Sequence, residues 1–117
     1  MLETLKVGVL DSGAGGLTVL SAILKQKQNL EMHYFADDAF SPYGDLSVSD
    51  IQKRVINICD FLLDKGVIAL VIACNTATLE AIDLIRDLPR VKENNIIVVG
   101  VEPAIKPASL LSFQGLV

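Results

Sequence analysis

Val67-Ile68-Ala69-Leu70-Val71-Ile72-Ala73-Cys74 is an unbroken apolar run of eight residues, and Asn75-Thr76-Ala77-Thr78 follows it directly. Such a run reads as a strand, over Val67 to Ala73, buried on both faces as parallel strands under helices are. A membrane helix needs about 20 apolar residues, so the run does not span a bilayer. Upstream, Leu5 to Leu10 and Met32 to Ala36 read as two further strands, and Ile96 to Val99 as a fourth. Between them lie helical periods. Leu17 to Lys27 places Leu17, Leu20, Ile23 and Leu24 on one face. A second helix starts at Ser49, with Gln52 in capping-box spacing. Ile51, Val55, Ile58 and Leu62 form its stripe, and Gly66 supplies its stop. Thr76 to Leu88 is a third helix, ended before Pro89, and Ala104 to Phe113 starts a fourth. The order βαβαβαβα predicts an α/β fold: a doubly wound parallel sheet with helices on both faces.

Length and composition set the bounds. The 117 residues amount to about one domain. A hydrophobic fraction of 51% with mean hydropathy +0.49 excludes a disordered chain. Ten Lys and Arg against 14 Asp and Glu give a net charge of −4. The bases are scattered, so nucleic acid is not an expected partner. Met1-Leu2-Glu3-Thr4-Leu5-Lys6 lacks the basic, apolar and cleavage-site pattern of a leader. The expected location is cytoplasmic, with no membrane partner. Two cysteines, Cys59 and Cys74, make no disulfide framework. No Cys-x-x-Cys occurs and His33 is the only histidine, so no metal site is expected.

In open parallel sheets, ligands bind beyond the carboxyl ends of the strands. Four segments should therefore meet at one cleft: Asp11-Ser12-Gly13-Ala14-Gly15-Gly16, Asp37 to Gly44, Cys74 to Thr78, and Gly100-Val101-Glu102-Pro103. The first has Gly13 and Gly15, but Thr18 stands where a dinucleotide fingerprint has its third glycine. No Walker lysine follows. The turn suits an anion, including a carboxylate, or simply needs glycine dihedrals. Asp11 either caps the next helix or projects an acid or base into the cleft.

Cys74 closes the buried strand and opens a helix. The helix N-terminus stabilises a thiolate and lowers the thiol from about 8.5. The sulfur suits a nucleophile or a general base, whereas a free cysteine is otherwise a small buried hydrophobe. His33 falls at the start of its strand, near the opposite edge, and is a poor partner for it. Cys59, mid-helix beside the apolar stripe, reads as core packing. Tyr43 is either an aromatic on the surface of the sheet or a lid over the cleft. Glu102 reads as a helix cap.

Val9 to Leu20, Pro42-Tyr43-Gly44, Ala73 to Thr78 and Gly100 to Ala104 together resemble the signature segments of bacterial glutamate racemase, in the aspartate/glutamate racemase family. The resemblance implies a cofactor-independent isomerase that interconverts L- and D-glutamate and supplies D-glutamate for peptidoglycan. Two cysteines act on opposite faces of the substrate. Carried over by position, Cys74 is the first catalytic cysteine and Asp11 assists its proton transfer. Ser12, Pro42, Tyr43, Gly44, Asn75 and Thr76 line the glutamate site. The family has two α/β domains, and its second cysteine comes from a later segment. Residues 1–117 are therefore expected to be the N-terminal racemase domain, with the second domain absent. Apolar residues that would face that domain favour association, and a homodimer is the expected assembly. The alternatives are a racemase or isomerase for aspartate or another small acid, and a noncatalytic carboxylate-binding or regulatory domain. A nucleotide-binding domain is disfavoured by the incomplete glycine fingerprint.

Incubated alone with L-glutamate, the 117-residue chain is expected to form no D-glutamate. Turnover at the rate of a full-length racemase would overturn that expectation.

Overall fold

The computed structural model describes residues 4–12, 29–37, 40 and 43–101. They form β1 (Leu5–Asp11), β2 (Leu30–Ala36), a 3₁₀ turn (Tyr43–Asp45), α1 (Val48–Asp64), β3 (Ala69–Ile72), α2 (Asn75–Asp87), α3 (Pro89–Glu93) and β4 (Ile97–Gly100). The sheet runs in the order β2-β1-β3-β4, and every pairing is parallel. From β1 the chain steps outward to β2, then crosses back to place β3 on β1's other side. Strand order therefore reverses between β1 and β3, the position at which open parallel sheets place their ligands, beyond the carboxyl ends of the strands.

Side-chain alternation assigns the core. Leu10, Leu70, Ile72 and Val98 face one way and pack against α1 and α2 through Val55, Ile58, Cys59, Leu62, Ala77, Ala81 and Ile85. Val7, Val9, Ala69, Val71, Ala73 and Val101 form a separate cluster on the other face. All four residues of β3 are buried, as its unbroken apolar run requires. The predicted stripe of α1 is buried in full. Burying one such aliphatic side chain contributes about 1.5–3 kcal/mol, so the stripe rather than helix propensity holds α1 in place. The helices expected over 17–27 and 104–113, the glycine turn of 13–16, Pro42, Glu102 and Pro103 lie outside the described residues. Among the described residues no helix is long and apolar enough to cross a membrane.

Several element ends differ from the sequence-based expectation: β3 is shorter than Val67 to Ala73, and Ile68 of the apolar run is exposed rather than covered. The cap of α1 is Ser47, not Ser49: Ser47 Oγ accepts the Asp50 N–H at 3.1 Å. Gln52 makes no capping box, and its Nε2 donates instead to the Glu80 carbonyl at 2.8 Å, tying α1 to α2. Pro89 not only stops α2 but opens α3, where its missing N–H is harmless. β2 begins at Leu30, so His33 sits within the strand rather than at its start. Gly66 does end α1 as expected. It adopts φ +85° and its N–H reaches the Leu63 carbonyl at 3.0 Å.

Gly100 marks a close approach between β4 and α2. A Cβ there would fall 2.7 Å from Ile82 Cδ1 and 2.9 Å from Thr78 Oγ1, and closer still to Thr78 Cγ2. Gly100→Ala is expected to lower stability by about 1–3 kcal/mol in urea unfolding, the usual range for overpacking. Gly44→Ala is the control, since a Cβ there meets nothing within 4 Å. Equal losses from the two would refute the close-approach account.

Candidate functional site

Cys74 is the N-cap of α2, with extended backbone at φ −129° and ψ 127°. Extended geometry is what a residue leaving a strand already has, so the strand end and the helix cap coincide. The Sγ accepts the Ala77 N–H at 3.5 Å. Cys74 is 9% exposed and belongs to the cluster under α1 and α2. One N–H of the first helical turn thus reaches a nearly buried sulfur. Asn75 is exposed and Thr76 half-buried in the first turn. Cys59, by contrast, is wholly buried, as expected. Burial, aided by the nearby Asp60 charge, pushes its thiol up to about 12.

Asp11 ends β1, the neighbouring strand, and Ser12 follows it. The Ala73 N–H reaches the Leu10 carbonyl at 2.7 Å, which extends the β1–β3 seam to the Cys74 junction. Asp11 is fully buried, and its Oδ2 accepts the Tyr34 hydroxyl at 2.7 Å. Alternation along β1 directs Asp11 to the face of Val9, where Tyr34 also packs, while the Cys74 sulfur lies with Leu10 on the other. Ser12 is half-buried.

The start of the loop after β2 holds a buried polar network. Asp37 is 3% exposed and accepts from three donors: Tyr43 Oη at 2.6 Å and Arg54 Nε at 2.9 Å on Oδ2, and Arg54 Nη2 at 2.7 Å on Oδ1. Burial alone would raise this carboxyl. The hydrogen bonds from Arg54 and Tyr43, with the Arg54 charge, outweigh it and hold the group below its ordinary value. For Tyr43, burial and the Asp37 hydrogen bond push the phenol above its usual range. Arg54 also lies over the Phe40 ring, 3.9 Å from its centroid.

Tyr43 is therefore a turn aromatic packed against the sheet rather than a lid. It is 1% exposed, shares the buried cluster of Cys74 and spends its hydroxyl on Asp37. Beside it Gly44 is exposed, with open space on its Cβ side. The 3₁₀ turn thus offers backbone rather than the phenol. His33 is bound to Glu31 at 2.6 Å, on an edge strand two strand spacings from β3, about 10 Å. Among the described residues no group of three or more His, Cys, Asp or Glu is placed to hold a metal.

Four residues at this edge escaped the sequence reading as site members. Tyr34 could have been found from the parallel alternation that sets it beside Val9. Asp37 stood in a segment assigned to the cleft, without a role. Thr78, four residues after Cys74, has the spacing at which a hydroxyl bonds the helix carbonyl one turn back. Arg54 had no local signal at all, being one polar residue on an exposed helix flank.

Taken together, the fold and this edge define a doubly wound α/β protein with a helix-capping cysteine at the switch point of its sheet. No family model matches the chain. A glutamate racemase of Leptospira interrogans is 46% identical over 110 residues, covering 94% of this chain and 41% of that protein. The glutamate racemase of Aliarcobacter butzleri is 50% identical over 107 residues, covering 91% of this chain and 40% of that protein. Among solved structures, glutamate racemase of Francisella tularensis in complex with D-glutamate superposes with TM-score 0.74 at 37% identity, over 85% of this chain and 36% of that one. The Escherichia coli enzyme, solved with L-glutamate and the activator UDP-MurNAc-Ala, also gives TM-score 0.74 at 37% identity, over 89% and 38%. The chain is similar to one part of these glutamate racemases. It spans about 41% of the length of the Leptospira relative.

Removing the cation that faces buried Asp37 should be costly. Arg54→Met is expected to destabilise the chain by about 3 kcal/mol at pH 7, the low end for breaking a buried pair because Arg54 is itself 29% exposed. The sign follows from the depressed Asp37 carboxyl. Its contribution is complete above the unfolded value of about 4 and is lost as pH falls through the lower native value. Urea unfolding of both proteins at pH 7 and pH 3 should show the gap narrowing in acid. A gap independent of pH would refute the assignment.

Proposed function

We infer that this chain carries the first acid–base centre of a cofactor-independent glutamate racemase, with Cys74 as the proton-transfer group. The observation that carries the reading is the Cys74 sulfur at the switch-point edge, within reach of the Ala77 N–H and the first turn of α2. A thiolate there removes the α-proton of a bound amino acid, or returns one as the thiol. Hydroxyl and N–H groups of Ser12, Asn75 and Thr76, with the backbone of Pro42, Tyr43 and Gly44, hold the carboxylates and the amine. Their fixed dipoles stabilise charge as the α-carbon loses its proton. Asp11, expected to assist that transfer, is buried at the same edge but on the opposite face of the sheet from the sulfur and bound to Tyr34, so we assign it no step. The relatives named glutamate racemase, and the two structures solved with glutamate, support this choice of substrate.

Inversion requires a second acid or base on the opposite face of the substrate. Cys59 does not serve, because it is fully buried and its thiol is pushed up to about 12. We assign residues 1–117 to the first of two α/β domains, with the second cysteine supplied by the other. The product, D-glutamate, feeds peptidoglycan synthesis in the cytoplasm, a setting that suits the two free cysteines. A homodimer is the assembly we propose. Exposed Leu79 and Phe61 leave apolar surface for such contacts.

Differential alkylation tests the site. With iodoacetamide, Cys74 should react well ahead of Cys59, and millimolar glutamate should slow Cys74 alone. Equal rates, or protection by aspartate but not glutamate, would reject the glutamate reading.

A further inference from the structure

Thr78 lies one helical turn past Cys74 and is 8% exposed. Its Oγ1 is 2.8 Å from the Cys74 carbonyl, 3.2 Å from the Ile72 carbonyl and 3.2 Å from the Val101 amide. A hydroxyl has one proton to give and lone pairs to accept with. The proton goes to the Cys74 carbonyl, with Ile72 as the longer alternative, and the lone pairs take the Val101 N–H. One side chain therefore joins the end of β3, the start of α2 and the exit of β4.

A hydroxyl bonded to the carbonyl one turn back is common in helices and by itself means little. Two further observations separate Thr78 from that ordinary case. Val101 is buried, and its N–H finds the Thr78 hydroxyl beyond the last ladder bond of β4. Gly100 meanwhile leaves no room for a Cβ against Thr78, so β4 is seated directly on the side chain. The Cys74 carbonyl also accepts the Thr78 backbone N–H at 2.9 Å. Cys74 is thus gripped at its carbonyl by both the main chain and the side chain of one residue.

We propose that Thr78 is the positioning residue of this site, its hydroxyl locking the Cys74 junction to the exit of β4 so that the sulfur stays seated at the edge of the cleft. The proposal rests on the acid–base role given to Cys74. Thr78 itself touches no reacting atom. Its part is to keep the Cys74 backbone and the exit of β4 in one register, since the Cys74 carbonyl and the Val101 N–H bond the same oxygen.

Native-state alkylation of the 117-residue chain tests it, read separately at each cysteine by mass spectrometry. Thr78→Val keeps the shape and removes the hydroxyl. Cys74 should then react about fivefold faster, the local opening expected from loss of one hydrogen bond, while Cys59 is unchanged. Thr78→Ser should restore the parent rate. A purely structural role would raise both cysteines together through global unfolding, and that outcome overturns the proposal. So does an unchanged Cys74 rate in Thr78→Val, or a serine variant that behaves like the valine one. Should the valine variant not fold, hydrogen exchange on the parent chain decides. The Val101 amide must be protected, and free exchange there overturns the proposal. Glutamate protection of Cys74 in the parent is a separate arm. Its absence would sink the substrate reading and leave the Thr78 result standing.

Discussion

The parallel pairing of β1 with β3 is the constraint on which the site depends. Val9 faces Val71 and Leu10 faces Ile72 across that seam, all four buried. An apolar strand with nothing polar on either face must be covered on both. It therefore takes the interior of the sheet, and its neighbour is the strand from which the chain reverses direction. Ligand crevices open at such reversals because adjacent connections depart toward opposite faces. Asp11 ends one strand of the seam, and Cys74 follows the other by two residues. That they meet at one seam is a result of strand order, since 62 residues separate them along the chain.

The buried carboxylates at this edge, Asp11 and Asp37, are bound to other side chains. Asp37, Tyr43 and Arg54 form a closed set, and Asp11 with Tyr34 forms another contact. Buried ion pairs add little net stability, because desolvation offsets most of their attraction, and breaking them is expensive. Their value here is geometric. Arg54, seated on α1 and stacked over Phe40, fixes the carboxylate that fixes Tyr43, and Tyr43 begins the turn that presents Gly44. A charged residue on a helix flank thereby sets the place of an exposed glycine. The Thr78 hydroxyl does the equivalent on the other side of the sheet's midline, between α2 and β4.

Much of the fold was legible because its signals are local. The run from Val67 marks a doubly covered strand, and Ile51, Val55, Ile58 and Leu62 repeat at helix spacing. Gly66 stops the helix through its own backbone angle. Cys59 and Cys74 separate by position alone, one in an apolar stripe and one at a strand-to-helix boundary. Ser47 was passed over for Ser49 because both precede the same stripe. Only the direction in which the chain enters α1 decides which hydroxyl meets the Asp50 N–H.

What the sequence by itself determined is the alternation of strands and helices, the buried faces, and the cysteine at the close of the most apolar strand. Periodicity and apolar run length carry that information within a dozen residues. The tertiary structure alone decided that Tyr43 turns inward to Asp37, that Arg54 holds both, that Tyr34 reaches Asp11, and that Gly100 seats on Thr78. Those contacts join residues on different elements, and hydrogen-bond geometry at a few ångströms is set only once the sheet order and helix docking bring the elements together.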